Sequence, residues 1–209
     1  MVVVVDYDAG NLYNVGNALR HLGAQFVTSG DPEVVAGAGR VILPGVGSAR
    51  AAMRSLERQG LLPVLRGLKV PFLGICLGLQ LLFEESEEDG TQCLGLLPGR
   101  VRRFSDLQVK VPHIGWNEVQ WDPSAAPPWV KTLLAGLPPA GHYYFVHSYY
   151  APPGPHTIGR SWYDTEFSAA VAHKNFLGVQ FHPERSAGLG LRLLSAFVRD
   201  ELVQEQGVA

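Results

Sequence analysis

Val70–Phe83, VPFLGICLGLQLLF, is the stretch on which the reading of this chain turns. Its opening, Val70–Ile75, is a continuous apolar run of the kind a strand buried on both faces requires. Gly74-Ile75-Cys76-Leu77-Gly78 then sets a nucleophile between two glycines, and Leu77–Glu84 follows with a helical pattern. Strand, tight turn and helix around G-x-[S/C]-x-G form a nucleophile elbow. Side chains two residues either side of the turn would collide, and glycine removes the collision. The cysteine projects at the C-terminal end of the strand, with a helix N-terminus behind it whose partial positive charge favours thiolate. The Leu77 N–H is placed to donate to a developing oxyanion. Taken alone, the pentapeptide also fits a buried core cysteine.

Upstream, the same alternation repeats. Val2–Val5 is a short buried strand, and Gly10–Asn11 opens a helix carrying Leu12, Val15, Leu19 and Leu22. Arg40–Leu43 is a second strand, closed by Pro44-Gly45-Val46-Gly47, and Ser48 is the N-cap of a helix running to about Arg58. Downstream the character changes. Val101–Phe104, Glu118–Trp121, Tyr143–Tyr150, Thr157–Trp162 and Ala169–His173 read as strands joined by Pro/Gly-rich turns. Leu177–Phe181 is another buried strand, Leu189–Leu202 a terminal helix, and Ser124–Pro128 a loop. The expected architecture is a single α/β domain over residues 1–209. It has a mostly parallel central sheet flanked by helices, with an antiparallel section attached.

Composition bounds the function. The 209 residues are 46% hydrophobic and 17% charged, which excludes wholesale disorder. Lys+Arg of 17 against Asp+Glu of 19 gives −2, so no nucleic-acid or anionic-membrane partner is called for. Two cysteines, Cys76 and Cys93, make neither a disulfide scaffold nor a CxxC zinc site, and there is no HExxH. No metal or cofactor is expected. Asp6 ends the first apolar run too early for a signal peptide, and Val70–Phe83 is too short to span a bilayer. The expected setting is cytoplasmic. A phosphate-binding reading of Gly45–Gly47 is weak, because GxGxxG would need a glycine where Arg50 stands and there is no GK[ST].

A nucleophilic cysteine needs a base. Of seven histidines, His182 follows a buried strand in Gln180-Phe181-His182-Pro183-Glu184. In extended chain, residues i and i+2 share a face, which places Glu184 beside His182, and Pro183 biases His182 towards that geometry. A carboxylate beside an imidazole fixes its tautomer and stabilises the imidazolium. Cys76, His182 and Glu184 thus form a candidate nucleophile–base–orienter triad, although His182 alone also fits a loop histidine before a proline. Val46 and Gly47, at the end of another strand, offer further N–H groups for an oxyanion.

Gly74–Gln80 together with Gln180–Glu184 resembles the triad-type, class I glutamine amidotransferases. Asp6–Leu12, Pro44–Gly47, Pro112-His113-Ile114-Gly115-Trp116-Asn117 and Tyr144–Tyr149 narrow the resemblance. They point to the glutaminase subunits of imidazole glycerol phosphate synthase. The likeness runs from the first strand to about Ser186. It implies that Cys76 attacks the glutamine amide to give a glutamyl thioester and ammonia, and that His182 activates water to release glutamate. Gln80, Gly47 and the backbone of Ser148 and Tyr149 would hold glutamine. The ammonia would pass to a cyclase subunit with a (β/α)₈ barrel, which makes imidazole glycerol phosphate and an aminoimidazole carboxamide ribotide. Glutaminase activity would stay nearly silent until that partner binds, and a flip in Pro44–Gly47 is a physical route for the switch.

Asn11, Trp116 and Arg185 match family positions at the cyclase interface. Their other readings are a helix cap, a core tryptophan and a solvated charge. Gly115-Trp116-Asn117 reads as a turn, and His113 and His147 as structural. Three departures stand out: Asp8-Ala9 after Asp6-Tyr7, Arg185 where lysine is usual, and Leu79 for methionine. Other readings remain: another triad amidotransferase, such as the glutaminase of pyridoxal phosphate synthesis, a small cysteine hydrolase, or a non-catalytic regulatory or binding relative that keeps only the fold.

Overall fold

The four valines of Val2–Val5 (β1) divide by parity, and that division defines the layers. Val2 and Val4 enter one buried cluster, Val3 and Val5 the other, as alternation on a strand dictates. The computed structural model describes residues 1–8, 11–105 and 107–199. β1 lies parallel between Phe26–Ser29 (β2) and Arg40–Gly45 (β3). Phe72–Cys76 (β4) follows β3, and Phe176–Val179 (β13) pairs parallel with β4. The sheet then turns antiparallel through Glu166–His173 (β12), Thr157–Trp162 (β11), His113–Trp121 (β8) and Ala140–His147 (β9). Its order is β2-β1-β3-β4-β13-β12-β11-β8-β9. The antiparallel section is attached to the parallel one strand to strand, within one sheet. A second, small sheet has the order Tyr149–Tyr150 (β10), Arg100–Arg103 (β7), Glu85–Ser86 (β5), Thr91–Gln92 (β6).

Helices cover both faces. Leu12–His21 (α1), Pro128–Leu134 (α6) and Ala187–Val198 (α7) pack on the side of Val2 and Val4. Pro32–Ala36 (α2), Ala49–Arg58 (α3) and Leu61–Gly67 (α4) pack on the other. Ser48 caps α3 as expected, its side chain accepting from the Ala51 N–H.

Several elements differ from expectation. β2, α2, α4 and α6 were not anticipated. β2 is a half-exposed edge strand with little apolar signal. α4 and α6 carry Pro63 and Pro128 in their first turns, where the missing N–H costs nothing. Pro128 thus opens a helix, and Pro123–Ala125 is a 3₁₀ turn, within what reads as a loop. The helix after the elbow is only Leu77–Gln80 (α5), not Leu77–Glu84. Beyond Leu81 the i→i−4 pattern stops: the Leu82 and Phe83 N–H groups donate three residues back, to Leu79 and Gln80, and the Glu84 N–H donates to the Gly99 carbonyl. Tyr143–Tyr150 splits between the two sheets, the change falling at Ser148. Gly115-Trp116-Asn117 is mid-strand, in register with Phe145, Tyr144 and Tyr143, not a turn. Gly115, at φ +141°, interrupts the alternation that would have revealed it. Ala9, Gly10 and residues 200–202 of the expected terminal helix lie outside the described residues. Among the described residues no helix is long and apolar enough to cross a membrane.

Candidate active site

Cys76 ends β4, between β3 and β13, in register with Gly45. Its backbone, φ +53° and ψ −106°, is one that L residues rarely adopt. The flanking glycines make the turn possible. A Cβ at residue 74 would lie 2.5 Å from the Gly78 carbonyl oxygen, and one at residue 78 would lie 1.9 Å from that of Leu43. Cys76 is 6% exposed, with Sγ 3.8 Å from the Val146 carbonyl and 3.6 Å from Gln180 Nε2. Because α5 is a single turn, the helix dipole behind the sulfur is smaller than a full helix would give.

His182 arrives just beyond β13, its N–H donating to the Tyr144 carbonyl at 2.9 Å. Nδ1 lies 2.7 Å from Glu184 Oε1, and both side chains are buried. His182 itself is extended (φ −97°, ψ 96°), but a 3₁₀ turn at Pro183–Arg185, not continued strand, brings Glu184 round to it. With a carboxylate accepting at Nδ1, that nitrogen carries the proton, and buried Nε2 has no hydrogen-bond partner. Burial alone would lower the His182 pKa. The nearby Cys76 sulfur and the Glu184 carboxylate outweigh it and raise the pKa to about 10.

A cavity of about 290 Å³ opens over the elbow. Val46, Gly47, Cys76, Leu77, Gln80, Ser148 and Tyr149 all line it, while His182 and Glu184 do not. Gln80 Nε2 donates to the Tyr149 carbonyl (2.8 Å) and to Gln180 Oε1 (3.1 Å). Gly47 has φ +92°, a conformation that favours glycine. Pro44 and Gly45 sit in the β3–β4 ladder, and the fully buried Tyr7 hydroxyl donates to the Pro44 carbonyl at 2.8 Å. Burial, then the Cys76 charge, hold the Tyr7 hydroxyl well above its ordinary pKa, so it remains a donor. Any flip of this segment is thereby confined to the residues after Gly45.

Sequence reasoning missed Glu88, Pro112, Val146 and His147 in this wall. Glu88 lies in the acid-rich stretch Glu84–Asp89. Its Oε2 accepts from the Ala49 N–H at 2.7 Å. Burial raises its pKa, against the pull of that hydrogen bond.

The three expected interface residues fall near the triad. Trp116 is 53% exposed and meets Tyr144 edge-on, ring centroids 6.2 Å apart. The exposed Arg185 places its guanidinium 4.2 Å from the centre of the same Tyr144 ring. Trp116 is thus not core, and Arg185 is stacked rather than merely solvated. Tyr144 was legible from alternation with buried Tyr143 and Phe145. Asn11 stands at the N-cap position of α1 but makes no side-chain cap. Its Nδ2 donates instead to Glu184 Oε1 at 2.8 Å. Among the described residues no group of three or more His, Cys, Asp or Glu is arranged to hold a metal ion.

The class-I glutamine amidotransferase family model matches residues 3–200. The HisH 2 subunit of imidazole glycerol phosphate synthase from Legionella pneumophila strain Paris is 44% identical over 199 residues, covering 95% of this chain and 97% of its own. The HisH subunit from Geobacillus thermodenitrificans is 45% identical over 218 residues, covering 99% of each chain. Among solved structures, a glutamine amidotransferase superposes with a TM-score of 0.73 at 21% identity, over 98% of this chain and all of that one. The glutaminase domain of Trypanosoma brucei CTPS, solved with bound acivicin, gives 0.59 at 16% identity, over 94% and 92%. These two likenesses bear on the fold alone.

Proposed function

The chain belongs to the class-I glutamine amidotransferases, close to the HisH subunits, and from that premise we propose that Cys76, His182 and Glu184 carry its hydrolysis of glutamine. The observation that supports this most directly is the buried His182–Glu184 pair, its Nε2 free of partners and its charge coupled to the elbow cysteine. Cys76 Sγ attacks the carboxamide carbon, and the amide electrons move onto oxygen. The Leu77 N–H, with one from Val46 or Gly47, meets that oxyanion. Protonated His182 gives its proton to the departing nitrogen, the C–N bond breaks, and a glutamyl thioester and ammonia form. His182 then takes a proton from water, whose oxygen displaces the sulfur and releases glutamate. Glu184 orients the ring and stabilises its charged form throughout.

The cavity walls divide the substrate between them. The Glu88 carboxylate is of the sign to take the α-ammonium of glutamine, while Gln80, Gly47 and the Ser148–Tyr149 backbone hold the rest. Ammonia passes to a (β/α)₈ cyclase subunit, which uses it to make imidazole glycerol phosphate. The Trp116–Tyr144–Arg185 stack supports this, because an exposed aromatic cluster with an arginine has the composition of an interface anchor. The test is glutamate release by the full chain, alone and with a cognate cyclase and its nucleotide, with Cys76→Ala as blank. Strong stimulation by partner and nucleotide is expected. No release in either condition from folded protein with a competent cyclase would overturn the reading.

A further inference from the structure

The reaction above uses neither His113 nor His147, yet both rings are buried and in contact. His113 is stacked between Tyr163 (centroids 4.0 Å) and Phe145 (5.1 Å). Its Nδ1 lies 3.1 Å from His147 Nε2, and His147 Nδ1 lies 2.8 Å from the Tyr149 carbonyl. A carbonyl only accepts, so His147 Nδ1 carries the hydrogen. Burial in the aromatic box pushes the pKa down to about 4 for His113 and about 3 for His147, so both rings are neutral at pH 7. A neutral ring with its hydrogen on Nδ1 has a bare Nε2. His147 Nε2 therefore accepts, and His113 Nδ1 must be the donor. The bare His113 Nε2 in turn faces Asn117 Nδ2 at 3.4 Å, and that amide also donates to the Trp162 carbonyl at 2.8 Å.

Beyond Tyr149 the sense is equally fixed. Its carbonyl accepts from Gln80 Nε2, which also donates to Gln180 Oε1, and Gln180 Nε2 faces Cys76 Sγ. Reversing any member would set two donors or two acceptors against each other. Both hydrogens of the Gln80 amide are committed, and Oε1 alone is left to receive a substrate donor. An apolar pair would fill the histidines' place in the β8–β9 register without desolvating two polar rings, so packing does not account for them.

We infer that His113 and His147 are positioning residues, which fix the Tyr149 carbonyl and through it the Gln80 amide, and so set the affinity for glutamine. The inference rests on the reading of the cavity as the glutamine site. Two measurements on the full chain test it. Nitrogen-15 NMR of the imidazoles at pH 7 should show both rings as Nδ1–H tautomers, and an Nε2–H form at either would overturn the relay whatever the enzyme's substrate.

Glutamine binding is then titrated into Cys76→Ser protein, with His113→Leu or His113→Asn added. Leucine keeps apolar volume and loses the donor, whereas asparagine keeps a donor at the δ position and loses the ring stack. His113→Leu should weaken glutamine binding by about tenfold. His113→Asn should stay near the parent even where its melting temperature falls further. Binding that follows melting temperature, or is unchanged in a folded His113→Leu protein, overturns the positioning role. A parent that binds no glutamine removes the reading of the cavity, and the affinity claim with it, while the tautomers still report on the relay.

Discussion

Two buried pairs contain histidine, His182–Glu184 and His113–His147, and they end in opposite charge states although burial pushes every ring the same way. His182, His113 and His147 are 1%, 3% and 5% exposed, so depth does not distinguish them. Desolvation lowers the pKa of each. What differs is the neighbour. His182 has a carboxylate at Nδ1 and the Cys76 sulfur nearby, and it holds its proton. His113 and His147 have each other, carbonyls, an amide and aromatic rings, and they stay neutral. In this protein a ring's partner, not its depth, decides whether it moves protons or directs hydrogen bonds.

The sharpest way to break this contrast is to remove the charged pair's ring. His182→Ala should lower the rate of glutamate release by about 10³-fold, measured under stimulated steady-state conditions. Retention of a tenth of the activity would end its role as base. Glu184→Gln tests whether the neighbour sets the charge. It should lower the rate by about 10- to 100-fold and bring the His182 pKa below its present raised value, read by NMR titration. An unmoved pKa would refute the comparison itself.

Acidification sharpens the contrast through stability. Unfolded histidines take up a proton near their ordinary pKa of 6.5, but folded His113 and His147 refuse it until about pH 4 and about pH 3. Their contribution is full above pH 6.5 and is lost as pH falls from 6.5 towards those values. That of His182 is full below pH 6.5 and is lost as pH rises towards about 10. The melting temperature of the parent should therefore drop more between pH 7 and pH 5 than that of His113→Leu. Equal drops would show that the neutral pair is not the acid-sensitive element. The smallest effect belongs to Asn11→Ala, which removes one donor from Glu184. It should cost about 1 kcal/mol in denaturant unfolding and slow hydrolysis a few-fold. A loss in stability alone would separate Asn11 from the orientation of Glu184.

The legible and illegible parts of the molecule follow from how far each signal travels along the chain. The elbow could be read because Gly74, Cys76 and Gly78 are neighbours in sequence and their steric reason is local. His182 and Glu184 could be paired by spacing, although the 3₁₀ turn joining them could not. Glu88 was masked by the acids around it, and its wall position depends on the Ala49 N–H, far away in sequence. α5 is shorter than LGLQLLFE suggests, because that stretch satisfies helical periodicity while the Glu84 N–H goes to the distant Gly99 carbonyl. His113 and His147 read as structural because the triad needs no second histidine, and only the folded register sets them opposite one another. In α4 and α6 the prolines conceal helices whose first turns they occupy.

The place of β13 has a consequence for how the molecule comes into being. Among the described strands it is the last to leave a ribosome, yet it lies between β4 and β12. Until it arrives, the two halves of the sheet present unpaired hydrogen-bonding edges, one of them the edge of the strand that carries Cys76. Pairings of such long sequence separation form slowly and leave a nascent chain open to aggregation. His182 follows β13 by three residues, so the step that closes the sheet also delivers the proposed base. A half-made chain therefore holds a cysteine with no histidine partner, and chemical competence appears only with closure of the sheet.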